Sequence, residues 1–292
     1  MTWRDRMKFR WRKIDRSNLM PTPEAALKNF SAVIITGGSS GIGKSFIELC
    51  SKMCPDLAFC NLSRRVPVIS SITQLNLRHI SCDLSKPEQL ERALPGIEDF
   101  LTRQAPAGRI LLINNSGFGR YGRFPDPGVG EQLEMVDVNV RAVVHLTGAL
   151  LPSIRARGGA IVTVASTASF QPTAYLDTYG ATKAFVLHWS LGLNEELRGT
   201  GVRALAVCPG PTSSGFRRRA GLSGNAAPGA LGETCEQVVM ASLRALASGK
   251  AMVVSGWRNK LGTAIVTKLP KPLAARLTAT VMARYWRYRA NS

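Results

Sequence analysis

A tyrosine and a lysine stand four residues apart in the stretch DTYGATKAF, residues 177–185. If this segment is helical, Tyr179 and Lys183 share one of its faces. A phenol with a pKa of about 10 can donate a proton, and an ammonium group one turn away favours the phenolate and lowers that pKa. The pair therefore predicts acid–base chemistry by a tyrosine with a lowered pKa. The alternative is that both are ordinary surface residues.

A glycine-rich turn, TGGSSGIG, occupies residues 36–43, between a predicted strand and a predicted helix. In that setting Gly37 makes the tight turn, Gly41 lets the backbone approach a pyrophosphate, and Gly43 permits close packing of helix on strand. The N-terminus of the helix offers unpaired N–H groups to phosphates. The turn therefore predicts a dinucleotide site, against the alternative of a plain glycine-rich turn.

The end of the second predicted strand, CNLSRR at residues 60–65, holds no acidic residue. A site for NAD(H) usually places Asp or Glu there to accept from the ribose hydroxyls. Arg64, with help from Ser63 and with Arg65 as a further candidate, is instead placed to bind a 2′-phosphate. The stretch predicts NADP(H) over NAD(H), and the alternative is a solvated turn.

Alternating strands and helices must position these side chains. The apolar runs that predict strands are at 32–36, 57–62, 78–82, 109–114, 160–166, 202–208 and 251–256, and the amphipathic stretches that predict helices are at about 42–54, 87–104, 130–156, 176–199 and 234–248. Continuously apolar strands alternating with helices indicate a doubly wound α/β domain with a buried parallel sheet. We predict one such domain over residues 31–256, with basic extensions at 1–30 and 257–292.

The charge of the chain is concentrated at its two ends. The net charge is +19 over 292 residues; residues 1–16 hold seven Lys/Arg and two Asp, and residues 237–292 hold ten Lys/Arg and no acid. The body is therefore an ordinary near-neutral globule, and its hydrophobic fraction of 45% allows a large core. No apolar run approaches the ~18 residues of a membrane span, and no apolar stretch follows the basic N-terminus as in a secretory signal.

The six cysteines and three histidines form no ligand set. No spacing completes a zinc site, so we expect no metal. Thiols without a paired framework indicate a reducing compartment, and we predict a cytoplasmic protein. His79, His145 and His188 are predicted to be structural or surface residues.

The order of motifs along the chain is more specific than any one of them. After the glycine turn come NNSG at 114–117, VNV at 138–140, a serine at a strand end, YxxxK, and CPGPT at 208–212. This order resembles the short-chain dehydrogenase/reductase family, over residues 32 to about 256. The details of NNSGFG and CPGPT are similar to the branch of ketoacyl and lipid-type carbonyl reductases. The resemblance implies a Rossmann fold and an NADP(H)-dependent oxidoreductase.

The resemblance also implies roles for individual residues. The catalytic residues would be Asn139, Ser166, Tyr179 and Lys183. The cofactor-binding residues would be Gly37, Ser39, Ser40, Gly41, Ile42, Gly43, Ser63, Arg64, Asp83, Asn115, Ser116, Gly117, Tyr179, Lys183, Pro209, Gly210, Thr212 and Ser214. Three positions depart from the usual pattern: Ser116 replaces Ala, Ser214 replaces Thr, and Ser40 stands where relatives that prefer NADP often have a base.

By the same resemblance, hydride transfer to a ketone would be completed by a proton from Tyr179. Lys183 would hold the nicotinamide ribose hydroxyls and lower the pKa of Tyr179. Ser166 would hydrogen-bond the substrate carbonyl. Asn139 would anchor a water in a proton relay. The product is then a secondary alcohol.

The substrate is less well specified. Phe170, Pro172 and Tyr175 are predicted to line an apolar pocket, and residues 213–234 read as a mobile flap. Three arginines in the flap, Arg217 to Arg219, would attract a phosphorylated acyl carrier or be a solvated charge run. We predict an apolar ketone or a 3-oxoacyl thioester as substrate.

The tail, residues 271–292, is predicted to be an amphipathic helix. Its apolar face holds Leu273, Leu277, Val281, Tyr285 and Tyr288, and its cations suit an anionic membrane surface. The alternative is a helix that packs on the body or on a second subunit. The resemblance implies a homodimer or homotetramer through the helices at 130–156 and 176–199. No motif predicts nucleic-acid binding. The competing hypothesis for the whole chain is a non-catalytic cofactor-binding or scaffold protein.

Overall fold

The structure is a computed structural model that describes residues 22–70, 72, 75–126, 128–221 and 232–290. For residues 217, 218 and 284–290 it describes the backbone alone. Residues 1–21 of the predicted basic N-terminal extension therefore lie outside the described residues, as do the middle of the flap and the side chains of Tyr285 and Tyr288.

One parallel sheet forms the centre of the molecule, with its strands in the order β3-β2-β1-β4-β5-β6-β7. The strands are β1 Phe30–Thr36, β2 Ala58–Ser63, β3 Leu77–Ser81, β4 Arg109–Asn114, β5 Gly159–Val164, β6 Val202–Cys208 and β7 Met252–Val254. All seven predicted strands are present within two residues at most ends, and the predicted doubly wound α/β fold is confirmed.

Helices cover both faces of the sheet. They are α1 Pro23–Leu27, α2 Gly41–Met53, α3 Pro87–Arg103, α4 Val129–Val136, α5 Ala142–Arg157, α6 Asp177–Glu196, α7 Phe216–Arg219, α8 Cys235–Ala247, α9 Trp257–Val266 and α10 Lys271–Ala290. The helix predicted over 130–156 is interrupted between α4 and α5 by a π-helical turn, Asp137–Arg141. No described helix is long and apolar enough to cross a membrane.

Side chains of β1 alternate between two separate cores. Ala32 and Ile34 belong to the cluster that includes residues of α3, α5 and α6, whereas Val33 and Ile35 belong to the cluster of α1, α2 and α8. This alternation follows from the two-residue period of a strand, and it explains why the strands are apolar on both faces. Each fully buried aliphatic side chain contributes about 1.5–3 kcal/mol to folding.

The carboxyl ends of β1 and β4 meet at the point where the strand order reverses. From β1 the chain proceeds to β2 on one side, and β4 pairs with β1 on the other, with Ile35 opposite Ile113. In open parallel sheets ligands bind in the crevice at this point. The glycine turn after β1 and the NNSG segment after β4 are therefore neighbours.

Candidate active site

The glycine turn has the backbone that its sequence predicts. Gly37 and Gly41 have φ of +74° and +58°, in the left-handed region that favours glycine. A β-carbon on Gly37 would lie 2.7 Å from Oγ of Ser116, and one on Gly43 would lie 2.4 Å from the carbonyl oxygen of Gly37. Gly43 is thus required for close packing, as predicted, while Gly41 begins α2 and faces the crevice.

A buried asparagine that the sequence analysis missed supports this turn. Asn61, in β2, is fully buried, and its Oδ1 accepts a 2.7 Å hydrogen bond from the amide of Gly38. Its Nδ2 donates to Oγ of Ser63 at 2.8 Å and lies 3.0 Å from Nδ1 of His79. His79 is therefore bound within this structural network. An asparagine at an inward position of an otherwise apolar strand is the signal that could have identified this role.

The NNSG segment is tied to the end of β1. The amides of Asn115 and Ser116 each donate to Oγ1 of Thr36 at 3.0 Å, and Nδ2 of Asn115 donates to the carbonyl oxygen of Thr36 at 2.9 Å. Asn114 is buried and donates to Oγ1 of Thr147 at 2.9 Å, so it anchors α5. The side chains of this segment hold the crevice in shape.

The end of β2 presents a cation to the crevice. Arg64 Nη1 lies 3.8 Å from Oδ2 of Asp83, and the Arg64 side chain is about half exposed. Burial would raise the pKa of Asp83, but hydrogen bonds from the amide and hydroxyl of Ser85, with the charges of Arg64 and Lys86, hold that pKa below its ordinary value. Asp83 is therefore an ionised acceptor beside Arg64.

Tyr179 and Ser166 both line the cavity described below, and the Ser166 side chain is near enough to the Tyr179 hydroxyl to lower the pKa of that hydroxyl. Ser166 caps the 3-10 turn Thr167–Phe170 that follows β5, and its Oγ accepts from the amide of Ala168 at 3.1 Å. Tyr179 lies in the first turn of α6. The cap on one element and the helix start on another thus bring together two residues thirteen positions apart.

The prediction that Lys183 lowers the pKa of Tyr179 is wrong for this structure. Burial raises the pKa of Tyr179 to about 12, and the nearby Ser166 side chain only partly offsets the rise. The Lys183 ammonium lies 5.9 Å from the centroid of the Tyr179 ring. The desolvation of the phenolate therefore outweighs any attraction by that charge.

Lys183 is itself buried, and its Nζ donates to the carbonyl oxygen of Val164 at 2.7 Å. Burial lowers the pKa of Lys183 to about 8, against an opposing influence of Cys208. A β-carbon on Gly117 would lie 3.0 Å from this Nζ and 3.2 Å from Oδ1 of Asn139. Gly117 therefore permits the close approach of both side chains.

Asn139 sits in the π-helical turn, where it is almost fully buried. Its Oδ1 accepts from the amide of Phe118 at 3.1 Å, and its Nδ2 donates to the carbonyl oxygen of Phe118 at 2.9 Å and to Oγ1 of Thr182 at 3.0 Å. The side chain is thus bonded within the protein. It joins the segment after β4 to α6.

A single cavity of about 1090 Å³ brings most of the predicted residues together. The predicted residues that line it are Gly37, Ser39, Ser40, Gly41, Ile42, Ser63, Arg64, Asp83, Asn115, Ser116, Gly117, Ser166, Tyr179, Lys183, Pro209, Gly210, Thr212 and Ser214. Gly43 and Asn139 do not line it and lie behind its wall.

The described start of the flap lines the cavity with Ser214, Gly215, Phe216 and Arg219. The ring of Phe216 lies 5.1 Å from that of Tyr179 between centroids, and the Arg219 guanidinium lies 4.7 Å from the centroid of the Phe118 ring. Burial and the charges of neighbouring arginines lower the pKa of Arg219. The side chains of Arg217 and Arg218 are outside the described residues.

The predicted apolar pocket residues are wrong in detail. Phe170, Pro172 and Tyr175 do not line the cavity, and Phe170 packs against a core cluster instead. The apolar lining instead includes Phe118, Val138, Leu176, Phe216, Leu277, Val281 and Met282.

The last three of those residues belong to α10, which lies against the body. Oγ1 of Thr278 donates to the carbonyl oxygen of Pro172 at 2.8 Å, and Nζ of Lys271 donates to that of Phe170 at 3.2 Å. The Tyr121 hydroxyl donates to the carbonyl oxygen of Met282. The tail is thus helical, as predicted, and one side of it packs on the domain.

The family model described as short chain dehydrogenase matches residues 31–222, which include the glycine turn and the Ser166–Tyr179 pair. The chain belongs to the short-chain dehydrogenase family. The predicted family is therefore confirmed. The match ends before α8, so α9 and α10 lie outside it.

Relatives of this short-chain dehydrogenase are moderately similar. It is 30% identical to the serine 3-dehydrogenase of Rhizobium radiobacter over 190 residues, which are 63% of this chain and 73% of that protein. It is 30% identical to the ketoacyl reductase HetN of Nostoc over 62% of this chain and 63% of that protein. A short-chain dehydrogenase from Sphingobium yanoikuyae, solved in complex with NADPH, superimposes with a TM-score of 0.67 at 25% identity, over 83% of this chain and 97% of that one.

Proposed function

We propose that this short-chain dehydrogenase uses NADP(H) to reduce an apolar ketone or a 3-oxoacyl substrate to a secondary alcohol. The observation that carries the proposal is that Tyr179, Ser166 and Lys183 line the same cavity as the glycine turn. Two hydroxyl groups on the wall of one cavity can bind one carbonyl oxygen together. The alternative of a non-catalytic scaffold has no comparable observation in its favour.

The proposed cofactor fits the charged and glycine-rich half of the cavity. The start of α2 would bind the pyrophosphate through its free N–H groups. Arg64 would bind a 2′-phosphate and Asp83 would accept from the adenine amino group. The NADPH complex of the Sphingobium yanoikuyae relative supports this choice. When bound, NADP(H) supplies the hydride.

We propose that Tyr179 is the proton donor. With a pKa of about 12 the buried phenol is protonated throughout the physiological range, so it is ready to donate to a carbonyl oxygen that gains negative charge. The Ser166 hydroxyl would donate to the same oxygen and stabilise that charge. Lys183 would hold the nicotinamide ribose.

Asn139 is proposed to act through its neighbours. Both polar atoms of its side chain are engaged by Phe118 and Thr182. Both hydrogens of its Nδ2 are used, so a relay water held by Asn139 would donate to one of its two carbonyl oxygens, in the side chain or the main chain. Its side chain positions the segment that forms the wall beside Lys183.

The remaining proposals concern the substrate class, the oligomeric state and the cellular location. HetN is a ketoacyl reductase, which supports an acyl substrate, and the apolar lining supports an apolar one. Leu133, Val136, Val144 and Phe185 are exposed on α4, α5 and α6, which supports a dimer through these helices. All six cysteines are free thiols, which supports the cytoplasm.

The test is consumption of NADPH, and separately of NADH, with a panel of ketones and 3-oxoacyl thioesters. We expect turnover with NADPH and a loss of about 10²–10⁴-fold in Tyr179→Phe. Tyr175→Phe is the matched control, because this neighbouring tyrosine does not line the cavity. If Tyr179→Phe were as active as wild type, or if no substrate were turned over, the proposal would be rejected.

A further inference from the structure

The helix α9 carries apolar side chains on the side that faces away from the domain. Trp257, Leu261 and Ile265 follow one another at four-residue spacing and are 70%, 56% and 55% exposed. On the opposite side, Nδ2 of Asn259 donates to Oε2 of Glu233 at 3.0 Å. A helix that only covered the domain would place its polar side outward. The outer face of α9 is therefore built to contact something else.

Cations border this apolar face. Arg258 and Lys260 lie on either side of it in helical projection, and the Arg258 guanidinium lies 5.2 Å from the centroid of the Trp257 ring. The chain has ten Lys/Arg and no acidic residue over 237–292. Tryptophan and aliphatic side chains flanked by cations match the chemistry of an anionic lipid surface, where rings lie at the headgroup level.

The helix α10 carries a second exposed apolar row that continues into the cavity. Leu273, Leu277 and Val281 are also spaced by four residues and are about half exposed. Leu277 and Val281 at the same time line the cavity that holds Tyr179. One row of side chains is thus both surface and cavity wall, which places an apolar opening of the cavity beside α10.

Resting on the proposed ketone reduction, we propose that α9 and α10 dock on an anionic phospholipid surface and that the docked enzyme takes its apolar ketone from the bilayer. The opening beside Leu277 and Val281 is the route of entry. The exposed rows of both helices supply apolar contact, and the lysines and arginines between them supply attraction to the lipid headgroups.

A second copy of this chain is a poorer partner for the same face. In a two-fold interface the same patch meets itself. The α9–α10 region contains cations and no acid, so such a contact would bring like charges together without compensation. The exposed apolar residues of α4, α5 and α6 offer a subunit interface elsewhere.

Flotation of the full-length protein with vesicles tests the docking. We expect wild type to float with phosphatidylcholine vesicles that contain phosphatidylglycerol, and about tenfold less with phosphatidylcholine alone or in high salt. Leu261→Glu/Ile265→Glu should lose about tenfold of this flotation. Thr102→Glu/Gln104→Glu, which adds the same charge at the exposed end of α3, should retain it.

Leu261→Ser/Ile265→Ser removes apolar surface without changing the charge. This second variant keeps the test valid if the glutamate variant does not fold. Thermal unfolding should show all variants folded, because these side chains are exposed. Docking is refuted if wild type does not float, or if both α9 variants float as wild type does. Docking is also refuted if sedimentation shows that the α9 variants dissociate an oligomer while their flotation stays unchanged.

Activity tests the route of entry. With a ketone dissolved in the vesicles, the α9 variants should be about tenfold slower than wild type, whereas with a water-soluble ketone the rates should be equal. Equal slowing on both ketones, or none on the vesicle-borne one, would overturn entry from the bilayer. If no ketone is reduced, the proposed function fails, and flotation still decides the docking.

Discussion

The ammonium group of Lys183 donates a 2.7 Å hydrogen bond to the main-chain carbonyl of Val164, the last residue of β5. This bond joins α6 to the strand whose end carries Ser166. A second bond, from Oγ of Ser169 to the carbonyl oxygen of Lys183 at 2.8 Å, joins α6 to the 3-10 turn that follows β5. Together they keep Tyr179, one turn before Lys183, in reach of Ser166.

The buried ammonium makes stability depend on pH. Because burial lowers the pKa of Lys183 from 10.5 to about 8, folding disfavours its charged form, and the stability present above pH 10.5 is lost as the pH falls towards 8. As the pH rises from 8 to 10.5, the unfolding free energy of wild type should therefore increase by about 3 kcal/mol relative to that of Lys183→Met, at about 1.4 kcal/mol per pKa unit. Urea titrations across this range measure it. Lys52→Met, at an exposed lysine, should run parallel to wild type, and a parallel Lys183→Met curve would contradict the prediction.

Arg64 is expected to determine the choice between the two cofactors. Arg64→Ala should weaken NADPH binding by about 10–100-fold, because a hydrogen bond to a charged group contributes roughly 1.5–3 kcal/mol, and should leave NADH binding unchanged. Fluorescence titration with both nucleotides measures this. Arg103→Ala, on the exposed part of α3, is the control. Equal losses for both nucleotides would mean that Arg64 does not contact the 2′-phosphate.

Asn61 is expected to matter for both stability and the cofactor. Asn61→Ala leaves the Gly38 amide without its buried acceptor, which costs about 1–3 kcal/mol of unfolding free energy. The loosened turn should also bind NADPH more weakly, although Asn61 does not line the cavity. Chemical denaturation and nucleotide titration measure the two effects. If Asn61→Ala were as stable as wild type, the glycine turn would keep its conformation without the Asn61 hydrogen bond.

The wall formed by α10 is expected to select substrate size. Leu277→Ala or Val281→Ala should raise KM for a bulky apolar ketone by about 3–10-fold and leave KM for a small ketone unchanged, because each loses roughly 1 kcal/mol of apolar contact. Leu273→Ala, in the same row but outside the cavity, is the control. A uniform effect on both ketones would indicate general disturbance of α10.

The sheet was predictable because its strands can be recognised from short stretches of the sequence. Runs such as AVII at 32–35 and ILLI at 110–113 are apolar at every position, which is typical of strands buried on both faces. The spacing of apolar residues over 130–156 also predicted a helix there, but it did not predict the π-helical turn Asp137–Arg141. A π-helical turn adds one residue to the helix, and that addition leaves the apolar pattern almost unchanged. Asn61 was missed because its partner, Gly38, lies 23 residues away.

The cavity wall was the least predictable part of the site. Phe170, Pro172 and Tyr175 were chosen for their apolar character between Ser166 and Tyr179. Of that stretch Leu176 lines the cavity instead, and much of the apolar wall comes from Phe216 and α10, which are distant in the chain. The outward apolar face of α9 is equally hidden in sequence, because a helical pattern shows that one face is apolar and does not show which way that face points.

The amino-acid sequence by itself determined the order of strands and helices, the glycine turn and the chemistry at the strand ends, since these depend on local periodicity and on residue type. Only the tertiary structure decided that Tyr179 is harder to ionise than a free phenol and that Lys183 is easier to deprotonate. Both shifts are caused by the loss of water, and that loss is the combined effect of elements that meet only when the chain has folded.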